Sequence, residues 1–71
     1  MTEIIIGGKY RHFKGNVYKV LAVAKHSEDL SELVIYESIS DKKTWARPKE
    51  MFTDSVIIDE KAVPRFELIE K

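Results

Sequence analysis

Residues 16–26, NVYKVLAVAKH, decide the fold of this chain. One parity of the run carries Tyr18, Val20, Ala22 and Ala24, and the other carries Val17, Lys19, Leu21, Val23 and Lys25. A period of two marks a β-strand, because successive side chains leave a pleated backbone on opposite faces. Both parities are largely apolar, so the strand is expected to be covered on both faces in its middle.

Working outward, KYRHFK leads into Lys14-Gly15-Asn16, where Gly followed by Asn supplies the positive φ of a tight turn. The first two strands are therefore expected to form a hairpin. Downstream, HSEDLSE is a polar connector, and Glu32 to Ser40, ELVIYESIS, is a β-branched and aromatic run of strand length. Ser40 to Lys43 is a further turn before Thr44-Trp45-Ala46-Arg47. Pro48 cannot donate to a sheet ladder but suits the first position of a helix, so PKEMF reads as one helical turn with Met51 and Phe52 folded inward.

Val56, Ile57 and Ile58 follow, then the polar loop Asp59-Glu60-Lys61, then PRFELIE. Phe66 and Leu68 share one face of that last segment, with Pro64 at its start, which fits a short closing strand. Ile4 to Ile6 are expected to pair alongside it. Five or six short strands and one helical turn predict an all-β domain, a small and strongly bent SH3-like barrel. The structural competitor is an open antiparallel sheet with one short helix.

Composition sets limits on function. Seventy-one residues make one domain, and a chain so short buries only about 60% of the surface its unfolded form exposes. With 44% hydrophobic and 34% charged residues the chain is neither disordered nor membrane-spanning in character. Twelve basic and twelve acidic residues cancel, which speaks against duplex DNA as a partner, since duplex binding draws on many phosphate contacts. There is no cysteine, so disulfides and thiolate chemistry are excluded together. The three consecutive isoleucines near the start are too few for a signal peptide core, and the cytoplasm is the expected compartment.

The ordered series GGKYRHFKGNVYKVLAVAKHSE, LVIYES, WARPKEMF and PRFELI resembles the bacterial domain-of-unknown-function family numbered 1653, over about Gly8 to Ile69. Phe13 stands where that family usually has Tyr, and Asp29 where a Thr commonly follows HSE, which removes a hydroxyl from that position. The resemblance implies a compact β domain and supplies no reaction.

Catalytic constellations are weakly supported. His26-Ser27-Glu28 contains the residue types of a hydrolytic triad, yet neighbours in sequence point in alternating directions, whereas triad partners come from separate parts of a fold. Ser27 is expected to bond local backbone groups instead. His12 and His26 would approach each other if the first two strands pair, but without a spaced carboxylate or thiolate no metal and no cofactor is expected. No GxxxxGK[ST] sequence occurs, which excludes a P-loop. Asp59-Glu60 and Glu28-Asp29 read as solvated loop ends.

Seven aromatics, three Tyr, three Phe and one Trp, compete for a small interior. Phe52, Phe66 and one tyrosine are the expected core rings. If the third and fourth strands form a hairpin across Ser40 to Lys43, Tyr36 meets Trp45 or Arg47 as a cross-strand neighbour. Arg47, set between an aromatic and Pro48, is suited to stacking on a planar group or gripping a carboxylate or phosphate. The internal arrangement is the one slightly preferred, since an indole is usually highly buried: Trp45 plugs one end of the barrel and Arg47 pairs with Glu37 or Glu50, while Arg65 has Glu67 or Glu28 as its internal partner.

Two classes of function follow. The first is a non-enzymatic binding module in which Tyr36, Trp45 and Arg47, with His12, His26 and Tyr10, hold a peptide, a single-stranded nucleic acid or a small ligand. The second is a small enzyme or metabolite-binding protein using His12, His26 and Glu28, with an imidazole as general base. The first is preferred, because so short a chain has little wall to spare for a deep reaction pocket. A monomer is expected, or a weak homodimer joined through an unpaired Ile4 to Ile6 edge.

Overall fold

The computed structural model describes residues 4–71. In chain order these form β1 (Lys9–His12), β2 (Val17–Lys25), β3 (Glu32–Ser38), β4 (Thr44–Pro48), α1 (Lys49–Phe52), β5 (Ser55–Ile58), β6 (Lys61–Pro64) and β7 (Phe66–Glu70). Five strands build one sheet in the order β4-β3-β2-β1-β7, and β5 and β6 make a separate hairpin, which corrects the expected five or six strands to seven among the described residues. Adjacent strands are antiparallel throughout.

The turns follow the residues that sit in them. Gly15 takes φ 109° between β1 and β2, a value that only glycine adopts freely, and its N–H donates to the His12 carbonyl at 2.7 Å. Between β2 and β3, the Asp29 carboxylate accepts from the Ser31 N–H at 2.9 Å and the Ser31 hydroxyl at 2.7 Å. The local bonding expected of Ser27 is thus made by Asp29. Between β3 and β4, Asp41 accepts from the Lys43 N–H at 3.1 Å.

The two-sided burial expected for β2 is corrected. Register shifts between Val20 and Ala22, so that Val20 faces Tyr36, Ala22 faces Ile35 and Val23 faces Val34. Leu21 is the extra residue of a β-bulge, and a bulge advances the side-chain phase by one. Tyr18, Val20 and Val23 consequently share one face although their spacing is not uniformly two. Both parities are apolar because the phase changes midway. Leu21 itself is exposed.

A closed barrel is likewise corrected to an open sheet: no ladder joins the two edge strands, β4 and β7. The sheet is nevertheless strongly curled. Three ladder steps separate β3 from β7, about 14 Å if the sheet were flat, yet the rings of Tyr36 and Phe66 lie 5.5 Å apart. What fills the gap between the edges is the chain after β4. Phe52 of α1 stacks on Phe66, and the Asp54 carbonyl accepts the Arg65 N–H at 3.0 Å. That segment, and not a ladder between β4 and β7, ties β7 to the rest of the concave face.

The core on the concave face is Tyr10, Val20, Val34, Tyr36, Phe52 and Phe66, with Ile4, Tyr18 and Leu68 packed against it. Met51, expected to fold inward, is exposed; α1 makes a single turn, and only Phe52 points at the sheet. Ile4 to Ile6 do not form a strand beside β7. Instead the Ile5 N–H donates to the Tyr10 hydroxyl at 3.0 Å, and the Gly7 N–H to the Val20 carbonyl at 2.8 Å. The place beside β7 is taken by β1, whose Tyr10, Arg11 and His12 face Leu68, Glu67 and Phe66.

Candidate binding site

The register of the β3–β4 hairpin places Tyr36 opposite Trp45 and Val34 opposite Arg47. Directly opposed residues share a face, so Trp45 and Arg47 both stand on the concave side, at its β4 rim. Trp45 is 50% exposed, which sets aside the arrangement in which it plugs the end of a barrel. Tyr36 is buried, and its hydroxyl accepts a hydrogen bond from Arg47 Nε at 3.3 Å.

Arg47 is half-buried and held by rings. Its guanidinium carbon lies 5.7 Å from the centroid of Phe66, within the range of a cation–π contact. Neither Glu37 nor Glu50 pairs with it; among the described residues no carboxylate comes within ion-pair distance of Arg47. Arg65 takes neither Glu67 nor Glu28. Its Nε and Nη2 fork the two oxygens of Asp54 at 2.7 and 3.2 Å. The hydrogen bond from Arg65 holds the Asp54 carboxyl below its ordinary value, with the charges of Arg65 and Arg47 acting in the same sense. One arginine of this end of the sheet is therefore neutralised, while the other keeps its charge.

His12 belongs to the same end of the sheet. Its ring meets Phe66 edge-on at 4.9 Å. Burial holds the imidazole below its ordinary pKa, and the nearby charges of Arg47, Lys14 and Arg65 add to the effect. A neutral imidazole beside an uncompensated guanidinium leaves this region positive, although the chain as a whole is neutral.

The other expected site residues lie elsewhere. Tyr10 is buried, its hydroxyl already accepting from Ile5. His26 sits beyond the far end of β2 from His12, and the nine residues of that strand span roughly 26 Å at about 3.3 Å each. The expectation that His12 and His26 approach each other is thus corrected: the strands do pair, but the histidines cap opposite ends of the ladder. His26 Nδ1 accepts the Glu28 N–H at 3.1 Å, a local turn contact. His12, His26 and Glu28 do not form one site.

The sequence reading missed the Asp54–Arg65 clamp, Phe66 as the floor beneath Arg47, and Tyr18, whose ring packs edge-on against both Tyr36 and Phe66 at 5.2 and 5.7 Å. No spacing rule connects these positions. They meet only because the sheet curls. A separate cleft of about 320 Å³ lies between the β1–β2 turn, the β5–β6 hairpin and β7, lined by Arg11, His12, Phe13, Val63, Pro64 and Glu67 among others.

Fold and site together define a class, the compact curled β domain with a ring-lined concave face and a rim arginine. The chain belongs to the family described as proteins of unknown function, DUF1653, whose model matches residues 8–68. A similar solved structure is the crystal structure of a DUF1653 protein from Bordetella bronchiseptica. It is 25% identical to this chain, with a TM-score of 0.82, and the match covers 93% of this chain and 88% of that one. No curated protein matches the sequence.

Proposed function

We propose that this domain is a non-enzymatic binding module, built on an opened SH3-like frame, that holds the anionic group of its ligand on Arg47 and a flat or apolar group on Trp45. The observation that carries this reading is the state of Arg47. Its Nε is held by Tyr36 and its guanidinium carbon lies over Phe66, yet among the described residues no acid lies within ion-pair distance of it. A guanidinium whose rotamer is already ordered loses less entropy on gripping a carboxylate or phosphate than a free one does. The half-exposed indole two residues away supplies a stacking surface of the kind that binding sites favour.

A chemical-shift titration with nucleotides, short oligonucleotides and acidic or proline-rich peptides tests the proposal. The expected result is saturable movement of the Trp45 indole N–H and the Arg47 Nε–H, abolished in Arg47→Ala. Movement confined to the His12–Val63 cleft, or none from any probe, would remove this site from consideration.

A further inference from the structure

The β4 edge adds a second element to this site. Ser38 and Lys43 are hydrogen-bonded at the end of the hairpin, the Ser38 N–H donating to the Lys43 carbonyl at 2.8 Å. Hydrogen-bonded and non-hydrogen-bonded pairs alternate along an antiparallel ladder. With the register Glu37–Thr44, Tyr36–Trp45, Ile35–Ala46, Val34–Arg47 and Leu33–Pro48, Trp45 and Arg47 turn their backbone groups toward β3. Thr44, Ala46 and Pro48 turn theirs outward, and among the described residues no strand pairs with that side. Pro48 falls at an outward position, where its missing N–H costs the ladder nothing.

Exposed edges are usually blunted by bulges, inward charges or charged side chains. The opposite edge strand, β7, has this protection: its register with β1 shifts between Lys9 and Tyr10, leaving Ile69 as a bulge, and it carries Glu67 and Glu70. β4 runs in unbroken register; its blunting features, the inward charge of Arg47 and Pro48, lie at its C-terminal end, and Thr44 to Ala46 carry neither. Around it the stretch KKTWARPK, residues 42–49, holds Lys42, Lys43, Arg47 and Lys49 and no acid. Of these, Lys49 is paired, with Glu32 at 3.4 Å.

We propose that β4 is a strand-addition site for an extended acidic peptide, whose backbone pairs with the outward N–H and C=O groups of Thr44 and Ala46 while an acidic side chain meets Arg47. This rests on the binding reading above and names its ligand class. An added antiparallel strand puts one residue directly opposite Arg47 and the residue two positions later opposite Trp45, on the same face. The recognised pattern is therefore acid, any residue, apolar residue. A second copy of this chain is disfavoured as the occupant, because antiparallel β4 strands would set one basic stretch against another.

The probe is a peptide of about eight residues with the repeat Glu-Thr-Val-Thr, which sets an acid and an apolar residue two positions apart on one face and is long enough to cover one strand. Its titration moves the backbone amides of Thr44 and Ala46 together with the Arg47 Nε–H. The same peptide N-methylated at alternate amides, so that it cannot pair, binds weaker by about tenfold or more, the worth of one or two hydrogen bonds. Ala46→Pro removes the outward donor and gives a similar loss, while the response of the Arg47 side chain to inorganic phosphate persists. Equal binding of the N-methylated peptide overturns strand addition and leaves the Arg47 site standing; loss of the phosphate response in wild-type protein fells both. Tighter binding of a thymidine oligonucleotide that displaces the peptide assigns the site to nucleic acid and overturns the proposal. Peptide-independent self-association that shifts Thr44 and Ala46 overturns it in favour of a second copy, and absence of any peptide-induced shift overturns it outright.

Discussion

Phe52 lies flat against Phe66, with ring centroids 4.2 Å apart and planes within 8°. One ring comes from the single turn of α1, the other from the edge strand β7, so this contact ties the segment after β4 to the far side of the sheet. It holds the sheet curled where a barrel would use a ladder. Because Phe66 also lies beneath Arg47, the same contact positions the proposed binding site.

Phe52→Ala should cost about 3–5 kcal/mol, the usual loss for a buried phenylalanine, since Phe52 is only 1% exposed. A domain of this size has about 4–10 kcal/mol in all, so urea denaturation should find the midpoint lowered by a third or more, and the variant unfolded outright at the low end of that range. Phe52→Leu, which keeps part of the volume, should fold with a lower midpoint. A wild-type midpoint in Phe52→Ala would show that the stack does not hold the curl.

The bulge in β2 makes a prediction that strict alternation would not. Leu21→Lys should change stability by no more than about 0.5 kcal/mol, as for an ordinary surface site, because Leu21 has already been turned outward. Val20→Lys, one residue away, buries an unpaired charge at a position that is 0% exposed and should abolish folding. Circular dichroism and urea melts of the pair test the phase of the strand.

Arg47 and His12 should report on each other. His12 titrates below its ordinary value because of burial first and Arg47 second, so Arg47→Ala should move its NMR midpoint upward. The sign for stability follows from the same depression. The folded state binds fewer protons, so His12 contributes fully above pH 6.5, its ordinary value, and the contribution is lost as pH falls through the window just beneath it. An unchanged His12 midpoint in Arg47→Ala would separate the two residues and weaken the positive character assigned to this rim.

The Asp54–Arg65 fork sets part of the acid limit. Asp54 has a depressed folded value, chiefly through its hydrogen bond from Arg65. Its contribution is therefore complete above pH 3.8, its ordinary value, and is lost as pH falls from there through the lower folded value. Asp29, Asp41 and Glu70 are depressed as well, so Asp54→Asn should flatten only part of the acid limb in a stability–pH profile. An unaltered limb would place the acid sensitivity in the other three.

Much of the fold is legible in the residues themselves. Gly15 with Asn16 announces the first hairpin, the β-branched and aromatic run from Glu32 to Ser38 announces β3, and Pro48 marks the step from strand to helical turn. β5 and β6 are harder to separate, because Ser55–Ile58 and Lys61–Pro64 pair only with each other and each is too short to show a period. The candidate site is legible in part. Trp45 and Arg47 are two residues apart on one strand, and a hairpin brings Tyr36 beside them. Tyr36 and Trp45 have polar tips that suit a boundary position; Trp45 takes one, half-exposed, whereas the Tyr36 hydroxyl finds Arg47 as a partner and its ring is buried.

Local chemistry determined the strands, their turns and the rim pair Trp45 and Arg47, because propensity, φ requirements and cross-strand register act between near neighbours and are written in consecutive residues. Tertiary structure alone decided that the sheet stays open, that the bulge at Leu21 reverses the phase of β2, and that Asp54 neutralises Arg65 and leaves Arg47 charged. Those outcomes depend on how far the sheet curls, which is settled by the packing of Phe52, Phe66, Tyr18 and Tyr36 from four separate elements. Packing of that kind has no period in the chain and so leaves no pattern to read.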